Sequence, residues 1–372
     1  MPIKERIDLY QKIEAHRNRS LIVYVTSLQP GAGGQMAPDV IQEFTRQIIA
    51  IPKDKKDIDL LIVSNGGDPT VAWRIITILR ERFKSVEVLL PYAAFSAATL
   101  LALGANKIIM HPFSNLGPVD PQLTYTRRIP GQQESFETIV FGSEDISHFL
   151  NFVRKDVGIL DQEQLQRAFE LVCKDVGAIP IGIAKRSTQL SLSMGENLLS
   201  LHMTDKSKAK AIAEALNKSF YSHGYPLGRK EAKEIGLSVS DADETIEELL
   251  WKIWEDLSNE MECHKPFNPA KVIFDDPELK KILEPVQQVQ LPPNLPPNIL
   301  QQSFQQIMQQ VQIVTVKPVY HEQFNAVVES IGCRSEYKTK CMINAVRRID
   351  LSIAVNVVKM SQGWNFIPDN GK

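Results

Sequence analysis

Two short stretches of the chain hold residue types that could together carry out acyl transfer. An Asn-Gly-Gly turn at 65–67 follows an apolar run, and Ser96 lies among small residues where a second apolar run ends. Paired glycines after a buried strand leave backbone N–H groups open to a ligand. A serine where a strand passes into a helix lies beside the free N–H groups of the helix N-terminus. This is the layout of a nucleophile beside an oxyanion hole, although an N-cap and a tight turn would explain the same residues.

The elements that must position these residues alternate along the chain. Apolar runs predict strands and helical spacing predicts helices. Strands and helices are predicted in turn at 21–26, 39–49, 60–63, 71–83, 86–90, 97–103 and 107–111. Strands that alternate with helices of this length predict a parallel sheet with crossover helices.

Three motifs, taken in order, resemble the Clp-fold serine proteases, which include the Clp protease proteolytic subunit and signal peptide peptidase A. The motifs are NGG at 65–67, PYAAFSAATLLALGANKI at 91–108 and LGPVDPQ at 116–122. The chain is most similar to the serine dehydrogenase proteinase family, and the resemblance covers roughly residues 20–239. It implies an α/β fold of Clp/crotonase-like repeated ββα units around a parallel central sheet.

The resemblance also implies roles for individual residues. Ser96 matches the nucleophile, and Gly67 and Ala97 match the backbone donors of the oxyanion hole. Family members commonly have Gly-Gly after the serine, where this chain has two alanines, which still supply the N–H group. The remaining motif residues are expected to bind substrate: Gly66, Leu116, Gly117 and Asp120.

The proton acceptor has to differ from that of the Clp protease. Val119 stands where that enzyme has its catalytic histidine, so a Ser-His-Asp triad of that type is absent. Signal peptide peptidase A pairs its serine with a lysine just before a long helix, and Lys174 occupies the most similar place, followed by Lys155 and Lys185. A lysine is a useful base only when burial lowers its pKa, so the base is expected to be buried next to Ser96.

Composition excludes several classes of function. A net charge of −2 gives no sign of nucleic-acid binding. The chain has no phosphate-binding loop, dinucleotide fingerprint or zinc-protease motif, and its four cysteines lack CxxC spacing, so no cofactor or metal is expected. The polar N-terminal helix lacks the apolar core of a secretory signal, and no stretch reaches transmembrane length without charged residues. These features predict a cytoplasmic protein with reduced thiols and no membrane span.

Composition also predicts a division into domains. The protease-like domain is expected at 1–260, followed by an extended Pro/Gln-rich linker at 261–298 that contains VQQVQLPPNLPPN. Residues 299–372 are expected to form a helix and a small antiparallel β module, because three runs there are rich in β-branched residues. That module carries no chemical constellation, which favours a capping sheet over a role in assembly or substrate presentation.

These observations together predict a serine endopeptidase with a Ser-Lys dyad and no metal. The expected substrates are extended peptides or unfolded proteins, and the resemblance implies a homo-oligomer. Two alternatives stay open: a crotonase-type acyl-CoA enzyme, which shares the two-amide oxyanion hole, and a catalytically silent Clp-fold scaffold. The sequence leaves open the natural substrate, the oligomer size and any partner ATPase.

Overall fold

The computed structural model describes residues 3–128, 136–218, 220, 222–277, 280, 296–310, 317–347 and 352–368, without the side chains of residues 143 and 304–310. The helices are α1 Ile3–Arg17, α2 Val40–Ala50, α3 Pro69–Arg82, α4 Ala97–Leu103, α5 Ser143–Lys155, α6 Gln162–Val176, α7 Ala178–Ser200, α8 Lys206–Lys218, α9 Arg229–Glu234, α10 Glu244–Glu260, α11 Pro269–Phe274 and α12 Pro297–Gln310. The strands are β1 Ser20–Thr26, β2 Asp57–Val63, β3 Ser85–Leu90, β4 Ala93–Ala94, β5 Lys107–Met110, β6 Asn115–Leu116, β7 Leu123–Arg128, β8 Phe136–Phe141, β9 Val239–Asp241, β10 Val319–Glu329, β11 Cys333–Arg347 and β12 Ile353–Pro368. Within these ranges, no helix is both long enough and apolar enough to cross a membrane.

The main sheet has the strand order β12-β11-β10-β1-β2-β3-β5-β9. Its part from β1 to β9 is parallel throughout, and helices form the connections between successive strands. Two small sheets stand apart from it: β4 pairs with β6 in parallel, and β7 pairs with β8 as a hairpin. The α/β fold class with a parallel central sheet is therefore confirmed.

The sheet is covered on both faces because successive side chains of a strand point to opposite sides. On β1, Ile22 and Tyr24 face a core built with α2, α3, α4, α7 and α8. Leu21, Val23 and Val25 face a second core built with α1 and α10. A strand buried on both faces reads as a continuous apolar run, which is why the sequence pattern marked these strands.

The C-terminal strands continue the main sheet. β10 pairs antiparallel with β1, from Val23↔Glu329 to Thr26↔Ala326, and β11 and β12 follow as antiparallel neighbours. An unpaired edge of β1 would leave a row of free backbone groups, and β10 covers it. The antiparallel strands expected near the C-terminus are therefore present, and they share a sheet with the parallel strands. The domain boundaries after residues 260 and 298 stay predictions; the Pro/Gln run at 286–298 lies mostly outside the described residues.

Candidate active site

The glycine turn after β2 is held by its own backbone and by a buried hydroxyl. The N–H of Gly66 donates to Ser64 Oγ at 3.0 Å, and the Gly66 carbonyl accepts from Met36 N at 2.8 Å. Both glycines have positive φ, 95° at Gly66 and 146° at Gly67, where a side chain is strained. A Cβ on Gly67 would lie 2.3 Å from the Met36 carbonyl oxygen. Only glycine fits at this position without displacing the loop around Met36.

Ser96 lies directly beside this turn. A Cβ on Gly66 would lie 3.0 Å from Ser96 Cβ and 2.9 Å from Ala97 N, so the turn and the serine are packed backbone to backbone. Ser96 has φ 52° and ψ −119°, and no side-chain capping bond to α4. Such a conformation is rare for a residue with a side chain and costs about 1–3 kcal/mol. Its side chain is partly exposed. The backbone therefore holds Ser96 in a strained conformation at the strand-to-helix corner, with its side chain partly exposed.

The segment that carries LGPVDPQ runs along the other side of Ser96. The N–H of Ser96 donates to the Pro118 carbonyl at 3.2 Å, and Gly117 N donates to the Ala94 carbonyl at 2.8 Å. The buried Thr99 hydroxyl lies 2.7 Å from the Ala94 carbonyl oxygen and 2.9 Å from that of Gly117. These bonds join the serine corner to the LGPVDPQ segment, although the two are about twenty residues apart along the chain.

The two backbone amides expected to form the oxyanion hole lie at this corner. Within the described residues, neither the N–H of Gly67 nor that of Ala97 donates a hydrogen bond. Met36 pairs with the turn through two bonds: its N–H donates to the Gly66 carbonyl, and its carbonyl accepts from Asp68 N. The N–H of Gly67, between them, is not used. Ala97 begins α4, where a helical N–H has no partner in its own helix. These are the two donors expected for the oxyanion hole, and their catalytic role stays a prediction.

The residues predicted to bind substrate differ in what they can offer. Leu116 is fully buried, and both of its backbone groups pair with Leu227. A Cβ on Gly117 would lie 1.9 Å from Phe95 Cδ1, so this glycine makes room for the phenylalanine ring. The N–H of Gly66 is already bonded within its own turn. In this structure the three residues shape the corner, and their direct contact with a substrate stays a prediction.

The three candidate lysines lack the burial expected of the base. Lys174 lies in the last turn of α6 rather than in a loop, and its side chain is exposed. Lys155, in the last turn of α5, and Lys185, on α7, are also exposed. Burial beside Ser96, the condition for a lysine base, is absent at all three positions. The assignment of Lys174 as base stays a prediction, without support from its surroundings in this conformation.

His111 is a structural residue in this fold. Its ring stacks on Trp251 at 5.4 Å between centroids, and its Nδ1 accepts from Phe113 N at 3.2 Å. Burial lowers the pKa of His111 below its ordinary value, so the neutral ring is favoured.

In the described part of the chain, no group of three or more His, Cys, Asp or Glu side chains is arranged to hold a metal ion.

Asp120 forms a histidine–carboxylate pair that the sequence did not indicate. It lies two residues after Pro118, whose carbonyl accepts the hydrogen bond from Ser96 N. His223 Nδ1 donates to Asp120 Oδ1 at 2.8 Å, across 103 positions of the chain. The hydrogen bond to Asp120 raises the pKa of His223, more than its partial burial lowers it. The pair opens on a cavity of about 70 Å³, whose lining includes Asn217 and Gln122. Asp120 was assigned to substrate binding from the motif, and no local spacing connects it to a histidine so far away.

Replacing Asp120 by asparagine is expected to lower the pKa of His223, because the amide does not stabilise the imidazolium charge. Histidine NMR signals followed against pH give this pKa directly. Since folding raises this pKa, the pair stabilises the fold fully below the ordinary histidine pKa of about 6.5, and the contribution is lost as the pH rises through the raised value. The matched control is Asp243→Asn, which alters a separate His–Asp contact, between Asp243 and His16. An unchanged His223 titration in Asp120→Asn would contradict the assignment of the pair.

Comparisons with known proteins agree with the motifs. Residues 36–131 match the family described as ClpP-like SDH-type serine proteinase. This match confirms the resemblance to the Clp-fold serine proteases over the segment that holds the glycine turn, Ser96 and LGPVDPQ.

Related sequences and a solved structure extend the comparison. Two uncharacterized proteins of Methanocaldococcus jannaschii are 33% and 29% identical to the chain, over 58% and 54% of its length. The matched stretches make up 63% and 57% of those relatives, so the chain spans less than two thirds of either. A solved structure of a mutant of a membrane-bound stomatin-specific protease is 17% identical, with a TM-score of 0.36, over 65% of this chain and 85% of that one.

Proposed function

We propose that this protein is a serine peptidase in which Ser96 is the nucleophile. One observation carries the proposal: a strained, partly exposed serine lies against a glycine turn, with the unpaired N–H groups of Gly67 and Ala97 at the same corner. Strain of this kind persists only where the surrounding structure enforces it, and it clusters at functional sites. The family match over residues 36–131 supports the same reaction class.

The reaction is acyl transfer in two halves. Ser96 Oγ attacks the peptide carbonyl carbon while its proton passes to a base, and the carbonyl oxygen becomes an oxyanion. The N–H groups of Gly67 and Ala97 donate to that oxyanion, a contact that strengthens as charge develops. The C–N bond then breaks, and the leaving amine takes the proton from the base. Water, deprotonated by the same base, hydrolyses the acyl-enzyme and restores the serine.

Two types of residue, lysine and histidine, compete for the role of base. The resemblance favours a lysine, with Lys174 as the first choice, and that lysine would have to become buried when substrate binds. His223 is the second candidate, because Asp120 orients its ring and the Asp120 segment runs from the Pro118 contact with Ser96. A histidine of this kind accepts a proton only above its raised pKa. The rate in wild type would then rise with pH through that pKa, and Asp120→Asn would move the rise to lower pH.

The proposal includes the expected context of the enzyme. Its substrates are extended peptides or unfolded proteins, since an exposed backbone can reach the two amides beside Ser96. Assembly as a homo-oligomer and a cytoplasmic location are part of the same proposal, and both rest on the resemblance and on composition.

A fluorophosphonate probe tests the reaction class. The probe is expected to modify wild-type protein at a single serine, identified as Ser96 by peptide mass spectrometry, because the phosphonyl oxygen can occupy the oxyanion site. Denatured protein is the control for nonspecific reaction. Coenzyme A binding without labelling would favour the crotonase-type alternative. Absence of both labelling and coenzyme A binding would favour the silent scaffold.

A further inference from the structure

A loop at residues 27–36 connects the end of β1 to the glycine turn of the candidate active site. Its last residue, Met36, bonds to the turn twice. The N–H of Met36 donates to the Gly66 carbonyl at 2.8 Å, and the Met36 carbonyl accepts from Asp68 N at 2.9 Å. The peptide units on both sides of Gly67 are therefore held by this loop.

The bond from Met36 to the Gly66 carbonyl also sets the direction of the Gly67 N–H, a proposed oxyanion donor. The two groups belong to one peptide unit, which is planar and trans, so the N–H points opposite to the C=O. Because the C=O points toward Met36, the N–H of Gly67 points away from the loop. A shift of Met36 would rotate this peptide unit and move the donor.

Asn325 of β10 holds the 27–36 loop from the other side. Its carbonyl accepts from Ser27 N at 2.7 Å, and its side-chain Nδ2 donates to the Ala32 carbonyl at 2.8 Å. A Cβ on Gly34 would lie 2.0 Å from the Asn325 carbonyl oxygen, so the loop backbone lies directly against this residue. Asn325 thus contacts the loop at its start, in its middle and two residues before Met36.

A β-bulge lets Asn325 reach the loop. The register of β10 against β11 shifts between Phe324 and Ala326, which leaves Asn325 as an extra residue on β10. A bulge of this kind re-aims a side chain, and bulges are over-represented next to active sites. The side chain of Asn325 is only 6% exposed, so its bond to the Ala32 carbonyl is shielded from water. The bulge therefore directs a buried donor at the loop that holds the glycine turn.

A second set of contacts holds the loop independently of Asn325. The N–H of Phe267 donates to the Pro30 carbonyl at 2.9 Å, and Leu28 N donates to Cys263 Sγ at 3.4 Å. Because these contacts remain when the Asn325 side chain is removed, we expect the loop to shift without detaching from the protein. A shift of this kind would displace the Gly67 N–H and leave Ser96 in place.

We propose that Asn325 is a positioning residue for the oxyanion hole, which acts through the 27–36 loop to set the direction of the Gly67 N–H. The proposal rests on the peptidase function proposed above. It gives the C-terminal strands a part in catalysis in addition to covering the edge of β1, although Asn325 lies outside the family match at 36–131. Asn325 contacts no substrate in this scheme, so its loss should act on kcat and spare KM.

Asn325→Ala removes the donor to the Ala32 carbonyl and tests the proposal. With fluorescently labelled unfolded casein as substrate, kcat is expected to fall about ten- to a hundredfold, with KM changed by less than about twofold. This loss is smaller than that for a missing oxyanion donor, because the Gly67 N–H is displaced and still present. The rate constant for fluorophosphonate labelling of Ser96 is expected to fall with kcat, while the labelled fraction still reaches completion.

Two further variants complete the design. Asn325→Leu has nearly the same shape without the donor, and it is expected to give the same loss in a protein that keeps its packing if the alanine variant fails to fold. Asn365→Ala is the matched control, because it makes the same substitution at an exposed position on β12 of the same sheet. Its kcat and labelling rate are expected to equal those of wild type.

The outcomes separate this proposal from the peptidase proposal. If wild-type Ser96 is labelled and a folded Asn325 variant keeps the wild-type kcat and labelling rate, the positioning role is overturned and the peptidase proposal stands. A raised KM at unchanged kcat would also overturn it, because the loop would then act in substrate binding. So would a smaller labelled fraction at an unchanged rate, which indicates partial unfolding. If wild-type Ser96 is not labelled at all, both proposals fail.

Discussion

Replacement of Ser96 by alanine is expected to reduce peptide hydrolysis by roughly 10³- to 10⁶-fold, the range for removal of a serine nucleophile. The loss falls on kcat, because the serine acts only when the carbonyl is attacked. Cleavage of fluorescently labelled unfolded casein measures it, and fluorophosphonate labelling should disappear in parallel. The alanine variant is expected to keep the wild-type melting temperature, since alanine has the same backbone strain at φ 52° as serine.

Ser96→Gly separates the chemical role of this residue from its structural cost. Glycine adopts the observed backbone angles freely, which relieves about 1–3 kcal/mol of strain. Its greater freedom in the unfolded chain offsets about 0.5–1 kcal/mol of that gain. A net stabilisation of about 1 kcal/mol would raise the melting temperature by roughly 1–2 °C.

A glycine variant that is more stable and inactive is therefore the expected result. A large loss of stability in Ser96→Gly would mean that the side chain supports the fold and that its backbone angles store no strain. Hydrolysis at the wild-type rate in Ser96→Ala would remove the serine from the mechanism altogether.

The sequence could predict the elements of the reactive corner because they are local. An apolar run, a glycine pair, a serine among small residues and a helix follow one another within about forty residues, and each leaves a pattern in the chain. The helix predicted at 97–103 is α4 at the same residues.

The parts that the sequence could not predict depend on contacts between distant segments. His223 reaches Asp120 across 103 positions, and β10 finds the free edge of β1 across about three hundred. Neither contact leaves a periodic pattern, because each is decided by how complete elements pack. Lys174 is the opposite case. Its place in the sequence suggested a base, but whether a lysine is buried can be seen only in the structure, and Lys174 is exposed.

The N-terminal helix gives the clearest case of a residue whose surroundings are hidden in the sequence. Arg6 lies on a polar segment and would be expected at the surface, yet it is 1% exposed. Its guanidinium contacts Glu329 on β10, at 3.0 and 3.2 Å, and Asp256 and Glu260 on α10. The Tyr10 hydroxyl donates to the same Glu329. One arginine thus joins the first helix, the last helix of the second core and the first C-terminal strand.

Arg6→Met is expected to destabilise the protein by about 3 kcal/mol, because it removes the guanidinium that contacts the buried carboxylates of Asp256 and Glu329. Burial alone would lower the pKa of Arg6, but the charges around it, chiefly that of Glu329, outweigh burial and raise it, so the side chain is fully charged. Arg334 still contacts Glu329 in the variant, which places the loss at the lower end of the range for broken buried pairs. The expected fall in melting temperature is roughly 4 °C, measured by circular dichroism.

Arg167→Met is the matched control, because it removes the same charge from an exposed pair with Glu163 on α6. Exposed pairs at this spacing contribute about 0.3–0.5 kcal/mol, so its melting temperature should change little. The double variant Arg6→Met, Glu329→Gln is expected to recover part of the loss, since it removes a buried negative charge that keeps only Arg334 of its two arginine partners. Equal effects of Arg6→Met and Arg167→Met would show that the buried cluster does not hold the C-terminal strands to the protease-like part.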